Sequence, residues 1–502
     1  MRISKTQATT PFLVTVLVIL LIAFGLRVYA LDSASLWYDE ALTFMRVQDG
    51  VVETIRITLG RNTQLPLYFV LLAVFPNDTD VTLRYPSVLA GLLGVAAVIG
   101  ITRRLYGSPR KALWAGALIA ANPLLIWLSR TARPYALLFV LLLLASYSFL
   151  VLLRKPDSKS NLILFTLSSM AAYATHYFAL VLPMAQYITL GFMLTQRKAF
   201  RRWFTAQVIA GIPLLIWFAL LTQRESVRLA IEWIREPTLS DIPLTLWNLT
   251  VGYTGEYHLL LWPGFIASIV GIGAGVYFAI RHWKTERPNL YWSILISAPL
   301  AVVFIVSITF RPVYEDRYLI FMIVGLVFLI VAGWERLSPK MANIALGLIV
   351  VSGALHTLAS LYTGDHIRED WKGAAAFIQA AQGPQDGILV DNQLSLYAFM
   401  RYYSDLDALE YTQFFGKTGF DPYVPQPVHD TLSHQPERLW AIYRNGRDDC
   451  HRQGKMQDFD PFAPGVEPIG DWLIAHREQI REIYEFNGVK VILLDNPIPG
   501  TQ

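Results

Sequence analysis

Cysteine is all but missing from this 502-residue chain, with Cys450 the single example. One thiol can close no intramolecular disulfide and build no thiolate metal cluster. Charge is scarce too, at 16% of residues against the ~25% typical of a soluble domain. The net charge of +4 is small and dispersed, so it leaves no footprint for a nucleic-acid partner. The chain also holds no P-loop, GxGxxG, HExxH or CxxC. A nucleotide-driven pump and a Rossmann-type nucleotide-sugar enzyme therefore find no support, and no motif proposes a metal or other cofactor.

What is abundant is apolar sequence. Hydrophobic residues make up 54% of the chain and aromatics 13%, the latter suited to membrane-interface belts. A spanning helix needs ~20 mostly apolar residues. By that measure about eleven spans are expected, near 11–31, 84–102, 112–128, 135–153, 161–175, 177–195, 204–222, 258–280, 290–310, 318–334 and 342–362. The first run follows Arg2 and Lys5 and is long enough to span, so it is expected to be a retained signal-anchor. Segment 64–76 is apolar but too short to span and is expected as an interfacial or re-entrant helix.

Lysine is missing from one set of loops. With the N-terminus in the cytoplasm, the loops on its side carry Arg103, Arg104, Arg110, Lys111, Arg154, Lys155, Lys159, Arg197, Lys198, Arg201, Arg202, Arg281, Lys284, Arg287, Arg336 and Lys340. The opposite loops between Asp32 and Tyr362 contain arginines and no lysine. That asymmetry predicts a multi-pass plasma-membrane protein, with Asp39 and the C-terminal part outside the cytoplasm. Residues 1–362 form the expected membrane domain, with 32–83 as its first external loop. Residues 363–502 form an expected α/β domain, with helices near 371–381 and 396–403, strands near 387–391, 438–443 and 489–495, and loops at 412–436 and 445–470.

Two adjacent carboxylates, Asp39 and Glu40, fall just past the first span. A carboxylate beside a low-dielectric slab suits general-base chemistry, and it is equally compatible with an ordinary wet loop. Arginines gather on the same side: Arg27, Arg84, Arg130, Arg133, Arg311 and Arg317. A planar, permanently charged guanidinium suits bidentate binding of a phosphate; headgroup contact or pairing with Asp32, Glu315 or Asp316 is the plainer alternative. His176, between two apolar runs, is a ligand candidate or a simple helix-end residue.

At these residues the chain resembles the GT-C membrane glycosyltransferases of the protein O-mannosyltransferase-like branch (glycosyltransferase family 39), whose broad class includes the aminoarabinose transferases. The likeness runs in order through Leu26-Arg27-Val28-Tyr29, Ser35-Leu36-Trp37-Tyr38-Asp39-Glu40-Ala41, Leu83-Arg84-Tyr85-Pro86, Arg103-Arg104-Leu105-Tyr106-Gly107, Ala132-Arg133-Pro134-Tyr135, Thr175-His176-Tyr177-Phe178, Asp316-Arg317-Tyr318-Leu319 and Arg368-Glu369-Asp370-Trp371-Lys372.

The resemblance implies a hexosyl- or pentosyltransferase taking its sugar from a polyprenyl-phosphate donor. The acceptor would be a glycan, lipid or protein hydroxyl outside the cytoplasm, and transfer would proceed with inversion. Asp39 is the implied base, and Glu40 its support or a substrate contact. Arg133, Arg317, Arg27 and Arg84 are the implied lipid-phosphate contacts. Tyr135, His176 and Tyr38 are candidate substrate contacts. The sequence departs from the family at Gln64-Leu65-Pro66, where relatives carry a cation before the proline pair, and at Thr131, where many carry Glu. The alternatives are a lipid-phosphate flippase or transporter, and an inactive assembly protein of the same fold.

Overall fold

The computed structural model describes residues 9–61, 64–192, 197–220, 234–253, 258–362, 369–384, 386–391, 393–404, 411–413, 437–444 and 468–495. Arg368, Cys450 and most of the two expected C-terminal loops lie outside them.

The membrane bundle opens with α1 (Thr10–Val28). The first loop folds into three short helices, α2 (Tyr38–Val47), α3 (Gly50–Arg61) and α4 (Leu67–Val74). Helix α4, eight residues long, matches the short interfacial segment. There follow α5 (Asp80–Tyr106), α6 (Pro109–Ala120), α7 (Pro123–Ser129), α8 (Tyr135–Arg154), α9 (Lys159–Tyr173), α10 (Val181–Phe192) and α11 (Arg197–Leu220). A short α12 (Asp241–Thr250) precedes α13 (Trp262–Arg281), α14 (Arg287–Thr309), α15 (Phe321–Leu337) and α16 (Ala342–His356).

Each expected apolar segment is helical, but among the described residues only eight helices are long and apolar enough to cross a membrane, making this a multi-pass membrane protein. Segment 112–128 breaks at Asn122-Pro123, because proline lacks the N–H that would continue the ladder. Helices α6 and α7 therefore meet at a bend of 61°, and counting them as one span gives nine. Segments 161–175 and 177–195 yield helices of 15 and 12 residues, the latter preceded by a 3-10 turn at Tyr177–Leu180. The buried centre is α15, while α1 turns Leu13, Leu17 and Leu21 outward as a lipid-facing helix should. Helices α13 and α15 approach closely over glycines: a Cβ on Gly333 would lie 2.0 Å from the carbonyl oxygen of Gly271.

The C-terminal part builds a five-stranded mixed sheet, ordered β2-β1-β3-β5-β4. Its strands are β1 (Gly387–Val390), β2 (Tyr411–Gln413), β3 (Arg438–Arg444), β4 (Ile480–Phe486) and β5 (Val489–Asp495). Strand β1 pairs in parallel with β2 and β3, and β5 pairs antiparallel with β3 and β4. Helices α17 (Trp371–Ala381) and α18 (Gln393–Met400) cover one face, and α19 (Pro468–Ala475) covers the other through Leu473. Burial on both faces explains why β1 and β5 read as continuous apolar runs. Strand β4, Ile-Arg-Glu-Ile-Tyr-Glu-Phe, was not expected, because it is a mostly exposed edge strand whose charges hide its periodicity.

Candidate active site at the first loop

Helix α2 organises the site. The stretch around Asp39 and Glu40 is its first turn, where exposed backbone N–H groups and the helix dipole favour carboxylates. Successive helical residues point about 100° apart, so the two acids diverge.

Glu40 turns inward. Its carboxylate takes a bidentate pair from Arg84, at 2.9 Å from Nε and 2.7 Å from Nη2, with both side chains fully buried. The backbone N–H of Ala132 donates to the same carboxylate at 2.7 Å. Arg84 gives its remaining donors to the carbonyls of Leu31, Ala34 and Ser35. A guanidinium has five N–H donors; all are engaged, so the phosphate contact expected of Arg84 has no donor to make it. Arg27 is likewise committed elsewhere. It reaches Ser129 and the carbonyls of Ala23, Ala120 and Ile119, neutralising the carbonyl end of α6 at the bend. Arg130 caps the end of α1 in the same way, through the carbonyls of Arg27, Tyr29 and Ala30.

Asp39 points the other way and is brought together with the remaining two arginines. Its Oδ2 lies 3.3 Å from Arg133 Nη2 and 3.5 Å from Arg317 Nη1, both from nearly buried side chains. Arg133 also donates to the Asp39 carbonyl at 3.3 Å. Burial opposes the charge on Arg133 most strongly, but Asp39 together with Tyr135 and Tyr318 outweighs it and holds the guanidinium pKa above its ordinary value. Arg133 sits in the turn before α8, where its carbonyl accepts from Ser87. Arg317 lies in a 3-10 turn, Asp316–Ile320, pinned by Asp316 to Thr245 and Asn248 of α12. It also packs over the rings of Trp37 and Tyr318 and lies 4.0 Å from Glu315.

An aromatic wall adjoins this cluster. The ring of His176 lies 5.5 Å from Tyr135 and 5.4 Å from Tyr318. Its Nδ1 accepts the N–H of Phe178, which requires the neutral form at that nitrogen. Burial, then the charges of Arg133 and Arg317, push the imidazole down to about 3. His176 is therefore a neutral hydrogen-bonding group at neutral pH. Among the described residues no group of three His, Cys, Asp or Glu side chains is gathered to hold a metal ion.

The C-terminal part closes over α2. Glu369 accepts the N–H of Tyr38 at 3.3 Å and pairs with Arg444 at 2.7 Å, while Arg444 stacks on the Tyr38 ring at 4.7 Å. Ser35 bridges Asp370 and the N–H of Lys372, and Tyr402 donates to Asp80 while accepting from Leu36. Tyr38 thus touches the C-terminal part. Sequence reasoning missed Glu369 and Arg444 as neighbours of the site, because nothing local ties residues more than about 300 positions away to α2. It also missed Arg46, whose signal was available: seven residues after Asp39 is two helical turns, hence the same face. Burial, then the charge of Arg133, pull the Arg46 guanidinium down to about 9, with Asp39 opposing.

A family model described as dolichyl-phosphate-mannose-protein mannosyltransferase matches residues 67–230. No curated protein matches the chain. Among solved structures, ArnT from Cupriavidus metallidurans in the apo state is similar over 99% of this chain and 100% of its own, at TM-score 0.63 and 14% identity. The same protein bound to undecaprenyl phosphate matches over the same shares, at TM-score 0.59 and 16% identity. The oligosaccharyltransferase AglB from Archaeoglobus fulgidus, in complex with an inhibitory peptide and a dolichol-phosphate, matches over 87% of this chain and 69% of its own, at TM-score 0.54 and 11% identity. At these identities the likeness is one of fold.

Proposed function

We propose that this chain, which has the fold of the GT-C membrane glycosyltransferases, transfers a sugar from a polyprenyl-phosphate-linked donor to a glycan, lipid or protein hydroxyl outside the cytoplasm, with inversion. The observation that carries the reading is Asp39, half-buried, with two nearly buried guanidinium groups on one oxygen. Similar structures bind undecaprenyl phosphate and dolichol-phosphate, which supports a lipid-phosphate ligand here.

Asp39 is the base. The acceptor O–H proton passes to its carboxylate as the acceptor oxygen bonds to the anomeric carbon. The bond from that carbon to the phosphate oxygen breaks, and its electron pair leaves with the polyprenyl phosphate, which gains a negative charge. Stabilising that charge needs cations rather than a protonating acid, and Arg133 and Arg317 supply them. The incoming phosphate competes with Asp39 for the same guanidinium groups, so binding the donor and freeing the base are one event. Glu40 acts through Arg84 and Ala132 to hold α2. The lysine-free loops support placing Asp39 outside the cytoplasm, with the N-terminus inside.

Asp39→Asn tests this. Purified in nanodiscs with a labelled polyprenyl-phosphate hexose, the variant is expected to bind the lipid but to transfer at least a hundredfold more slowly, the scale of a lost general base. Undiminished transfer would remove Asp39 from the mechanism. Translocation of the lipid without product by the native protein would support a flippase instead.

A further inference from the structure

The arginines of this face differ in what holds them. Arg84 and Arg27 have their donors met by carbonyls, hydroxyl and carboxylate, and Arg133 and Arg317 share Asp39. Arg46 is different. It is 2% exposed, yet none of its Nε, Nη1 and Nη2 has a hydrogen-bond partner among the described residues. Its guanidinium lies 5.1 Å over the ring of Phe69, on α4.

The energetics do not balance within the protein. A buried guanidinium whose N–H donors meet no acceptor is costly even after relaxation, and a single cation–π contact returns only part of that cost. The Phe69 ring offers no hydrogen-bond acceptor to the guanidinium's N–H donors, which radiate in its plane. What such a group binds best is a flat or tetrahedral oxyanion presented edge-on.

Position says where that anion sits. Arg46, buried like Thr43, lies on the Asp39 face of α2, two turns or about 10 Å along the axis from Asp39. The charges of both Asp39 and Arg133 are felt at Arg46, so one electrostatic cluster contains all three. Arg133 and Arg317 share Asp39, and Arg317 lies 4.0 Å from Glu315.

We infer that Arg46 is an anion-binding residue, donating to a phosphate oxygen of the carrier lipid on the side away from Asp39. Resting on the lipid-phosphate reading above, it makes α2 a two-ended element, with the base at its start and a phosphate anchor two turns on. It also provides a cation from α2 on the loop where Gln64 stands, next to α4.

The test uses the full chain in nanodiscs and the variant Arg46→Met, which keeps the bulk and removes the charge. Polyprenyl phosphate, the uncharged polyprenol and inorganic phosphate are the three probes. Arg56→Met, at an exposed ion pair on α3, is the control. The expected result is a ligand-free melting temperature equal to or above that of the native protein, because an uncompensated charge has gone. Affinity for polyprenyl phosphate should fall at least tenfold, with polyprenol binding and the control unchanged. Native affinity for polyprenyl phosphate in Arg46→Met would overturn the inference. So would a variant that no longer folds, since a guanidinium held only by a ligand is dispensable to the empty protein. If the native protein binds inorganic phosphate through Arg46 but not polyprenyl phosphate, the anion site stands as a free-phosphate site and the donor reading fails. If it binds neither, both fail.

Discussion

Two adjacent acids with opposite surroundings carry the residue-scale argument. Asp39 keeps partial contact with solvent, whereas Glu40 is sealed against Arg84 and a backbone N–H. A buried ion pair adds little net stability as a pair, but removing one member leaves the other charge uncompensated, at about 3–5 kcal/mol. Glu40→Gln is therefore expected to lower the melting temperature sharply or abolish recovery of folded protein, while Asp39→Asn folds normally. Thermal unfolding in detergent separates them; equal stability of the two variants would mean that Glu40 does not hold the loop. The division also decides among the arginines, since a guanidinium whose donors already meet carbonyls has nothing to offer a phosphate.

At the scale of elements, the site depends on breaks in helices. Pro123 ends α6 early and turns α7 by 61°, which brings the Arg130–Pro134 turn beneath α2. The 3-10 turn before α15 delivers Arg317, and α15 itself packs closely on α13. Gly333 is the pivot of that packing: a Cβ there would come 2.0 Å from the Gly271 oxygen and 2.7 Å from the Gly275 nitrogen, both backbone atoms that cannot swing aside. Gly333→Ala should thus force the helices apart and cost about 1–3 kcal/mol, the range for overpacking. Gly347→Ala is the matched control, because its Cβ would meet only the Trp114 ring at 3.9 Å. A lower melting temperature for the first and an unchanged or higher one for the second is the expected pair of results.

On the scale of the whole molecule, the C-terminal sheet and the membrane bundle share α2. Ala41 packs into the sheet's apolar cluster beside Trp371, while Val47 packs into the cluster of the first loop. Glu369, Arg444, Arg401 and Tyr402 add polar ties to Tyr38, Asp80 and Leu36. Asp39 thus stands on a helix gripped from both sides. Glu369→Gln keeps the shape and removes the charge that holds Arg444. It is expected to lower the turnover number about tenfold, as loss of orientation does, with the donor KM within twofold of native. A change in KM alone would mean that the contact serves binding rather than alignment.

The sequence by itself determined the class of the molecule. Long apolar runs joined by loops that alternate between lysine-bearing and lysine-free leave few solutions besides a helical bundle, since backbone polar groups in lipid must be satisfied within each helix. It also marked Asp39, Arg133 and Arg317, because charges clustered at one membrane edge are legible in one dimension. Which acid is sealed and which is presented was decided only by tertiary structure, as Asp39 and Glu40 are chemically near-equivalent neighbours. The same holds for Arg27 and Arg84, whose partners lie up to 102 residues away, and for Glu369, which meets Tyr38 from 331 residues away. Periodicity reports which way a side chain points from its own helix. What it meets there is set by packing between distant segments, and at this site that packing assigns the charges their work.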